Sequence, residues 1–383
     1  MRVNMGDKIE NKNINNLEIK KINRTNIYQL LRNNSGLAKQ DIVNNLHLCL
    51  PTISQNINEL QSEGLVEIAG SIGNTGGRRA KAYGIIKDAR TAIGLDITKN
   101  HVAVVAIDLT GSIIECVRTR KKYERTDEYY QYIGNLVNTL IEKANLNRDQ
   151  ILGVGIGIPG LVTQDHQTVF FGEILNFTNA TCSEFSKYIP YKTALFNDAN
   201  AASFAEIWAS KEITNAFYIM LSNNIGGSIV INNQIYAGEH LRSGEVGHLK
   251  LVPNGKQCYC GQKGCVDSYC AATVLSSTTD GNLESFFSLL KIGDKEASRL
   301  WDEYLDYLAI TVNNLHMLFD CKVILGGYVG EYMGDYMEEF RERAKKLNSF
   351  VDNADYLMGC TYKTEAIAAG AALNFISDFV NSI

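Results

Sequence analysis

Gly244-Glu245-Val246-Gly247-His248, followed ten residues after the histidine by Cys258-Tyr259-Cys260-Gly261-Gln262-Lys263-Gly264-Cys265, decides how this chain of 383 residues is read. Thiolates and an imidazole are what zinc selects, and four such ligands complete a tetrahedron with no vacancy for a reacting water. The spacing predicts a closed, structural zinc site on His248, Cys258, Cys260 and Cys265. Gly261 and Gly264 let the short loop fold back so that three sulfurs converge on one ion. Such a metal does no chemistry itself, so function lies in the residues that the knuckle holds in place.

The other cysteines, at 49, 116, 182, 270, 321 and 360, are scattered and several fall in apolar stretches, which reads as reduced thiols rather than a disulfide framework. A chain of this length with 45% hydrophobic residues can bury large cores and predicts two to three domains. Its longest apolar runs, such as Ile151 to Ile158, fall far short of the ~20 residues of a membrane span, and no apolar signal region opens the sequence. The expected location is therefore the cytoplasm. Charge is uneven: residues 1–87 hold 12 Lys+Arg against 7 Asp+Glu, and the remainder 25 against 35. A basic head on an acidic body points to a polyanionic partner for the head.

Within that head, apolar residues recur at helical spacing in three short segments: Ile27, Leu30 and Leu31; Ile42, Val43 and Leu46; Ile53, Ile57 and Leu60. Only His47-Leu48-Cys49 joins the second to the third, a length that predicts helix-turn-helix geometry. Pro51 falls in the first turn of the third helix, where its missing N–H costs no hydrogen bond. Thr52, Ser54, Gln55 and Asn56 are assigned to that helix's outward face, where short amides and hydroxyls suit base edges. A β-type segment at 65–69, a Gly-rich stretch ending in Arg78 and Arg79, and a second β-type segment at 83–86 predict a wing, with Arg78 the leading candidate for groove or phosphate contact. A small helical protein-interaction module with solvated polar faces is the plainer alternative. Residues 1–18 are Asn- and Lys-rich without a period and predict a flexible terminus.

The body repeats an order of elements. Three β-type runs (92–97, 102–108, 112–119), a helix (127–144) and a buried strand (152–158) come first. Three more runs (216–222, 227–231, 234–236), helices near 283–290 and 295–320, and a strand at 323–325 follow. Two α/β lobes enclosing a ligand cleft are expected, with a final helix from 364 packing on the first lobe.

Gly247-His248 with the cysteine cluster, Ile158-Pro159-Gly160, Asn197-Asp198-Ala199-Asn200-Ala201-Ala202 and Leu325-Gly326-Gly327 together resemble the ROK family (repressors, open reading frames, sugar kinases) from about Ala92 onward. The resemblance implies an α/β chain: a winged helix-turn-helix at 19–88, then a two-lobed actin-like ATPase (ribonuclease H-like) body. Lobe 1 spans 90–200 and is completed by about 364–383; lobe 2 spans 201–363 and carries the zinc site. It further implies a sugar site of Asn176, Asn197, Asp198, Glu245, His248 and Asp267. Carboxylates and amides can satisfy adjacent hydroxyls of a pyranose together. Asp267 stands where the family has glutamate, a reach shorter by about one C–C bond, roughly 1.5 Å. On local pattern alone, Asn197 and Asp198 also read as a turn or helix cap, and Glu245 and Asp267 as loop acids.

In the family's kinases the residue matching Asp198 is the catalytic base. Their Asp-x-Gly-Gly-Thr-Lys phosphate loop is here Asp96-Ile97-Thr98-Lys99-Asn100-His101, and their second phosphate segment is Ser222-Asn223-Asn224-Ile225-Gly226-Gly227. Side chains replace the glycines that would cradle phosphates, which implies lost phosphoryl transfer. The expected protein is a non-enzymatic, sugar-responsive repressor acting as a homodimer or homotetramer on operator DNA. The rival expectation is an ATP-dependent sugar kinase with an accessory DNA-binding head.

Overall fold

The computed structural model describes residues 16–34, 36–72, 80–210, 212–350 and 353–383. Two compact units result: Met1–Ala89 with Ser377–Ile383, and Arg90–Ile376.

The smaller unit contains α1 (Asn16–Asn33), β1 (Leu37–Ala38), α2 (Lys39–Leu46), α3 (Leu50–Ser62), β2 (Val66–Ile72) and β3 (Ala80–Ile85). Ile27, Leu31, Ile42, Ile53, Ile57 and Leu60 are buried, as the helical spacing requires. At the start of α2 the Asp41 carboxylate accepts from the Ala38 N–H at 2.9 Å, and α2 ends at His47 in the left-handed region (φ 54°). His47, Leu48 and Cys49 together lead into α3. Glu59 of α3 and Glu63, the residue after it ends, pair with Lys20 and Arg24 of α1. The three strands form an antiparallel sheet in the order β1-β3-β2.

One expected DNA-facing residue is misplaced. Asn56 is only 2% exposed, and its amide donates to the Thr52 carbonyl at 2.8 Å. It falls one position before Ile57 and three after Ile53, inside a buried stripe wider than those two residues define. Thr52 and Ser54 are half-buried and Gln55 is exposed. Arg78, Arg79 and the whole of 73–79 lie outside the described residues, as does most of 1–18.

The larger unit opens with β4 (Thr91–Ile97), β5 (His101–Ile107), β6 (Ile113–Arg120), α4 (Asp127–Lys143) and β7 (Ile151–Ile158). Next come β8 (Leu161–Val162), β9 (Val169–Phe171), α5 (Cys182–Phe185), β10 (Thr193–Asn197) and α6 (Asp198–Ala209). The second half has β11 (Ala216–Leu221), β12 (Ile225–Ile231), β13 (Gln234–Ile235), α7 (Asp267–Cys270), α8 (Ala272–Ser276), α9 (Leu283–Lys291) and α10 (Lys295–Phe319). It closes with β14 (Lys322–Gly326), α11 (Gly327–Gly330), α12 (Met333–Leu347), β15 (Leu357–Gly359) and α13 (Ala366–Ser382), whose residues from Ser377 on are counted with the smaller unit.

The sheet orders are β10-β7-β4-β5-β6 and β13-β12-β11-β14-β15. Numbered within each half, both run 3-2-1-4-5, so one topology occurs twice, as the repeated order of elements predicts. In each sheet the first two strands pair antiparallel, whereas the first and fourth pair parallel.

β4 is buried along its whole length because both faces are covered. Ile93, Leu95 and Ile97 pack with Ile133, Val137 and Leu140 of α4. On the opposite face a Cβ at Gly94 or Gly155 would collide with the carbonyl of Ala368 or Ala371. Only hydrogen at these positions lets the Ala-rich α13 lie directly on the sheet. Glu206 of α6 is buried, and its two carboxylate oxygens accept from the N–H groups of Thr361 and Tyr362, both at 2.8 Å. It ties α6 to the segment entering α13. Among the described residues no helix is long and apolar enough to cross a membrane, and none of the nine cysteines, all described, is in a disulfide.

Candidate functional site

The carboxyl ends of β7 and β10 in one sheet and of β11 in the other converge on a cavity of about 360 Å³. Clefts of this kind, at strand ends, are where open α/β sheets bind ligands. Asn197 ends β10 and caps α6, its Oδ1 accepting from the Asn200 N–H at 3.0 Å. Its Nδ2 donates to the Gly160 carbonyl and to Asp198 Oδ1, each at 3.1 Å. Asp198 Oδ1 also accepts from the Ala199 N–H at 2.8 Å, so neither bond uses Oδ2. The cap reading and the site reading thus coexist: Asn197 holds the carboxylate of Asp198 against the cavity.

Burial dominates the electrostatics. It pushes the Asp198 carboxyl up to about 7, with the Glu245 charge adding to the shift and the Ala199 N–H opposing it. Asp96, at the end of β4, is likewise raised to about 7 by burial and then by Asp198, with Arg118 opposing. Glu245 is raised by burial and eased by His248. A carboxyl poised near neutrality is both a donor and an acceptor, which is what a ring of hydroxyls asks of its neighbours. The half-buried Tyr328 lies close to Asp96, Arg118 and Asp198.

His248 belongs to two groups at once. Its Nδ1 is 4.0 Å from Cys258 Sγ, while its Nε2 is 3.2 Å from the Tyr259 hydroxyl on the cavity side. The ligand atoms of His248, Cys258, Cys260 and Cys265 all lie within 4.8 Å of one another, a cluster able to hold a metal ion. Gly261 and Gly264 both adopt positive φ (82° and 78°), and a Cβ at Gly264 would overlap the Val252 carbonyl. The loop is closed by Cys258 N–H to Gln262 O at 2.8 Å and Gly264 N–H to Lys256 O at 2.8 Å.

Of the residues expected to hold a ligand, Asn197, Asp198, Glu245 and His248 line the cavity, and two do not. Asn176 is exposed in a left-handed turn (φ 56°); the Phe177 N–H to Gly172 O bond closes the loop so that Glu173 and Ile174 reach the cavity instead. Asp267 is buried behind the wall, where its carboxylate accepts from the Ile225 N–H at 2.7 Å. Its shorter side chain ties down the start of the 225–227 wall segment through that bond. Phe171, Glu173, Ile174 and Tyr259, none singled out from the sequence, line the same cavity. Tyr259 alone carried a usable signal, sitting between two of the clustered cysteines.

The phosphate-loop positions are filled by a compact turn. The Thr98 N–H and hydroxyl both bond to the His101 carbonyl, at 3.0 and 3.1 Å, joining β4 directly to β5. Gly326 and Gly327 serve packing: a Cβ at the first would overlap the Tyr218 hydroxyl, and at the second the Leu221 backbone.

The ROK family model matches residues 92–376. The xylose repressor of Bacillus subtilis (strain 168) is 24% identical over 95% of this chain and 97% of its own length. The DNA-binding transcriptional dual regulator NagC of Escherichia coli (strain K12) is 23% identical over 66% of this chain and 63% of its own. Among solved structures, a ROK family transcriptional regulator described as a homolog of the E. coli MLC protein superposes with a TM-score of 0.74 at 19% identity, covering 95% of this chain and 97% of that one. A ROK family glucokinase from Streptomyces griseus, in complex with glucose and AMPPNP, gives 0.59 at 22% identity over 74% of this chain and 98% of its own. With the family model spanning 92–376 and the doubled α/β fold shared with these structures, the chain belongs to the ROK family.

Proposed function

We propose that this protein is a sugar-responsive transcriptional repressor that acts in the cytoplasm. The cavity carries the reading: Asp198 and Glu245, two carboxyls with ionisation pushed up, face it together with His248 beside a cysteine cluster. Relatives named xylose repressor and N-acetylglucosamine repressor support a sugar as the ligand. The helical pair α2 and α3, joined by three residues and followed by the β2–β3 hairpin, is read as a winged helix-turn-helix, with Thr52, Ser54 and Gln55 on α3 and Arg78 and Arg79 in the wing meeting DNA. A dimer would place two α3 helices in successive major grooves.

The cysteine cluster is read as a structural zinc site. Two thiolates bound tetrahedrally at about 2.3 Å from one zinc lie about 3.8 Å apart, and Cys260 Sγ and Cys265 Sγ are 3.8 Å apart. His248 would then meet the metal through Nδ1 and present Nε2 to the cavity. Zinc there supplies rigidity and folding free energy. No phosphoryl transfer is assigned: the Thr98–His101 turn leaves no glycine backbone to cradle phosphates.

A sugar moves the DNA-binding equilibrium only by the difference in its affinity for the two states; a coupling of about 1–3 kcal/mol changes operator affinity roughly 5- to 150-fold. The test is effector release from operator DNA by the full chain, with Glu245→Gln and Asp198→Asn expected to bind DNA but ignore sugar. Release of both variants at the wild-type sugar concentration overturns the site. Steady ATP-dependent formation of a sugar phosphate overturns the non-enzymatic reading.

A further inference from the structure

The cavity lining is chemically mixed. Asp198, Glu245 and His248 make its polar end. Phe171, Ile174 and Tyr259, which are 47%, 45% and 55% exposed, line it as well, Tyr259 with its hydroxyl 3.2 Å from His248 Nε2. Single exposed apolar side chains of this size are ordinary. Three of them, brought by separate segments into the lining of one cavity, give it an apolar rim.

Each is also held in place. Phe171 ends β9, opposite Leu161 of β8. Ile174 sits in the loop closed by the Phe177 N–H to Gly172 O bond at 2.7 Å and the Gly172 N–H to Thr178 Oγ1 bond at 3.0 Å. Tyr259 lies between two clustered cysteines, with its ring centroid 5.3 Å from that of His248. Ordering an aromatic platform in advance removes the entropy cost that a floppy rim would add on binding.

A pyranose presents hydroxyls around its edge and C–H groups on its faces. One ring bonded edge-on to the carboxyls has used the groups that the polar end recognises. The apolar rim is continuous with that end and offers ring faces, with the exposed Glu173 carboxylate beside them for a hydroxyl. We propose that the Phe171–Ile174–Tyr259 rim is a second carbohydrate subsite, so that the effector is a glycoside of at least two sugar units with its second ring packed on this wall. This rests on the sugar reading of the polar end and extends it to the size of the ligand.

Calorimetry on the full-length, metal-loaded protein tests it, using three pairs of probes: xylose and xylobiose, glucose and cellobiose, N-acetylglucosamine and chitobiose. In at least one pair the disaccharide should bind about ten-fold more tightly than its monosaccharide. In the double variant Phe171→Ser, Ile174→Ser that ratio should fall to about one. A second readout guards against a misfolded variant: in Phe171→Trp, indole emission should shift with the disaccharide and not with the monosaccharide. Monosaccharides that bind as tightly as their disaccharides in every pair, or a ratio that survives the double substitution, overturn the subsite while leaving the polar end intact. Failure of all six sugars to bind wild-type protein removes the sugar reading and the subsite together.

Discussion

Replacing Asp96 with asparagine removes a charge that the fold holds at a loss. The carboxyl is 7% exposed, its Oδ1 meets no hydrogen-bond donor among the described residues, and Asp198 adds like charge that Arg118 only partly offsets. These together raise its ionisation from 3.8 to about 7. An unfolded chain releases this proton near pH 3.9. Between about pH 4 and pH 7 the folded state therefore binds a proton that the unfolded state has lost. The stability tied to this group is complete below about pH 4 and declines as pH rises through about 7. At 1.36 kcal/mol per unit, the loss is about 4 kcal/mol by pH 8, of which roughly 1–2 kcal/mol has already gone at pH 5.

Asparagine cannot ionise, so Asp96→Asn should gain on wild type by about 2–3 kcal/mol in going from pH 5 to pH 8. The increment is the test, because the amide brings a constant offset of its own. Urea unfolding of the two full-length proteins, followed by circular dichroism at both pH values, measures it. A difference between variant and wild type that stays the same at pH 5 and pH 8, or that moves the other way, refutes the assignment of a buried, unpaired Asp96.

Three further outcomes are expected. Glu206→Gln should lower stability by about 2 kcal/mol, seen as a reduced melting temperature, because one of the two N–H groups at Thr361 and Tyr362 would face an amide NH₂ instead of an acceptor. Cys260→Ser, or treatment of the wild type with a chelator, should release about one zinc per chain by metal analysis and lower the melting temperature; a metal-free protein of unchanged stability contradicts the structural role. Arg78→Ala should weaken operator binding and reduce the slope of log affinity against log salt by about 0.9, the share of one phosphate contact; an unchanged slope removes Arg78 from the interface.

Much of the fold was legible because burial leaves periodic traces. α2 runs over Lys39–Leu46 and the α2–α3 turn over three residues, as the spacing of Ile42, Val43, Leu46 and Ile53 predicts. α1 starts earlier than expected, at Asn16, where the sequence is too polar to signal a helix. Helical period also misplaced Asn56: counting only Ile53 and Ile57 as inward makes the buried stripe too narrow, and an amide whose NH₂ donates to its own helix can lie inside it.

The sequence alone determined the His248–Cys258–Cys260–Cys265 cluster able to hold a metal ion, the doubled order of elements and the presence of Asp198, Glu245 and His248, because ligand chemistry and hydrophobic period are local properties written at fixed spacing. Tertiary structure decided which acids face the cavity. Asp267 and Asn176 carry the right chemistry at plausible positions, yet one points its carboxylate at the Ile225 N–H and the other sits on the outside of a closed turn. Phe171, Ile174 and Tyr259 have no shared period and no shared motif; they become one surface only when β9, its following loop and the cysteine loop meet across the cavity. Such convergence depends on the packing of segments distant in sequence, which is why spacing could not report it.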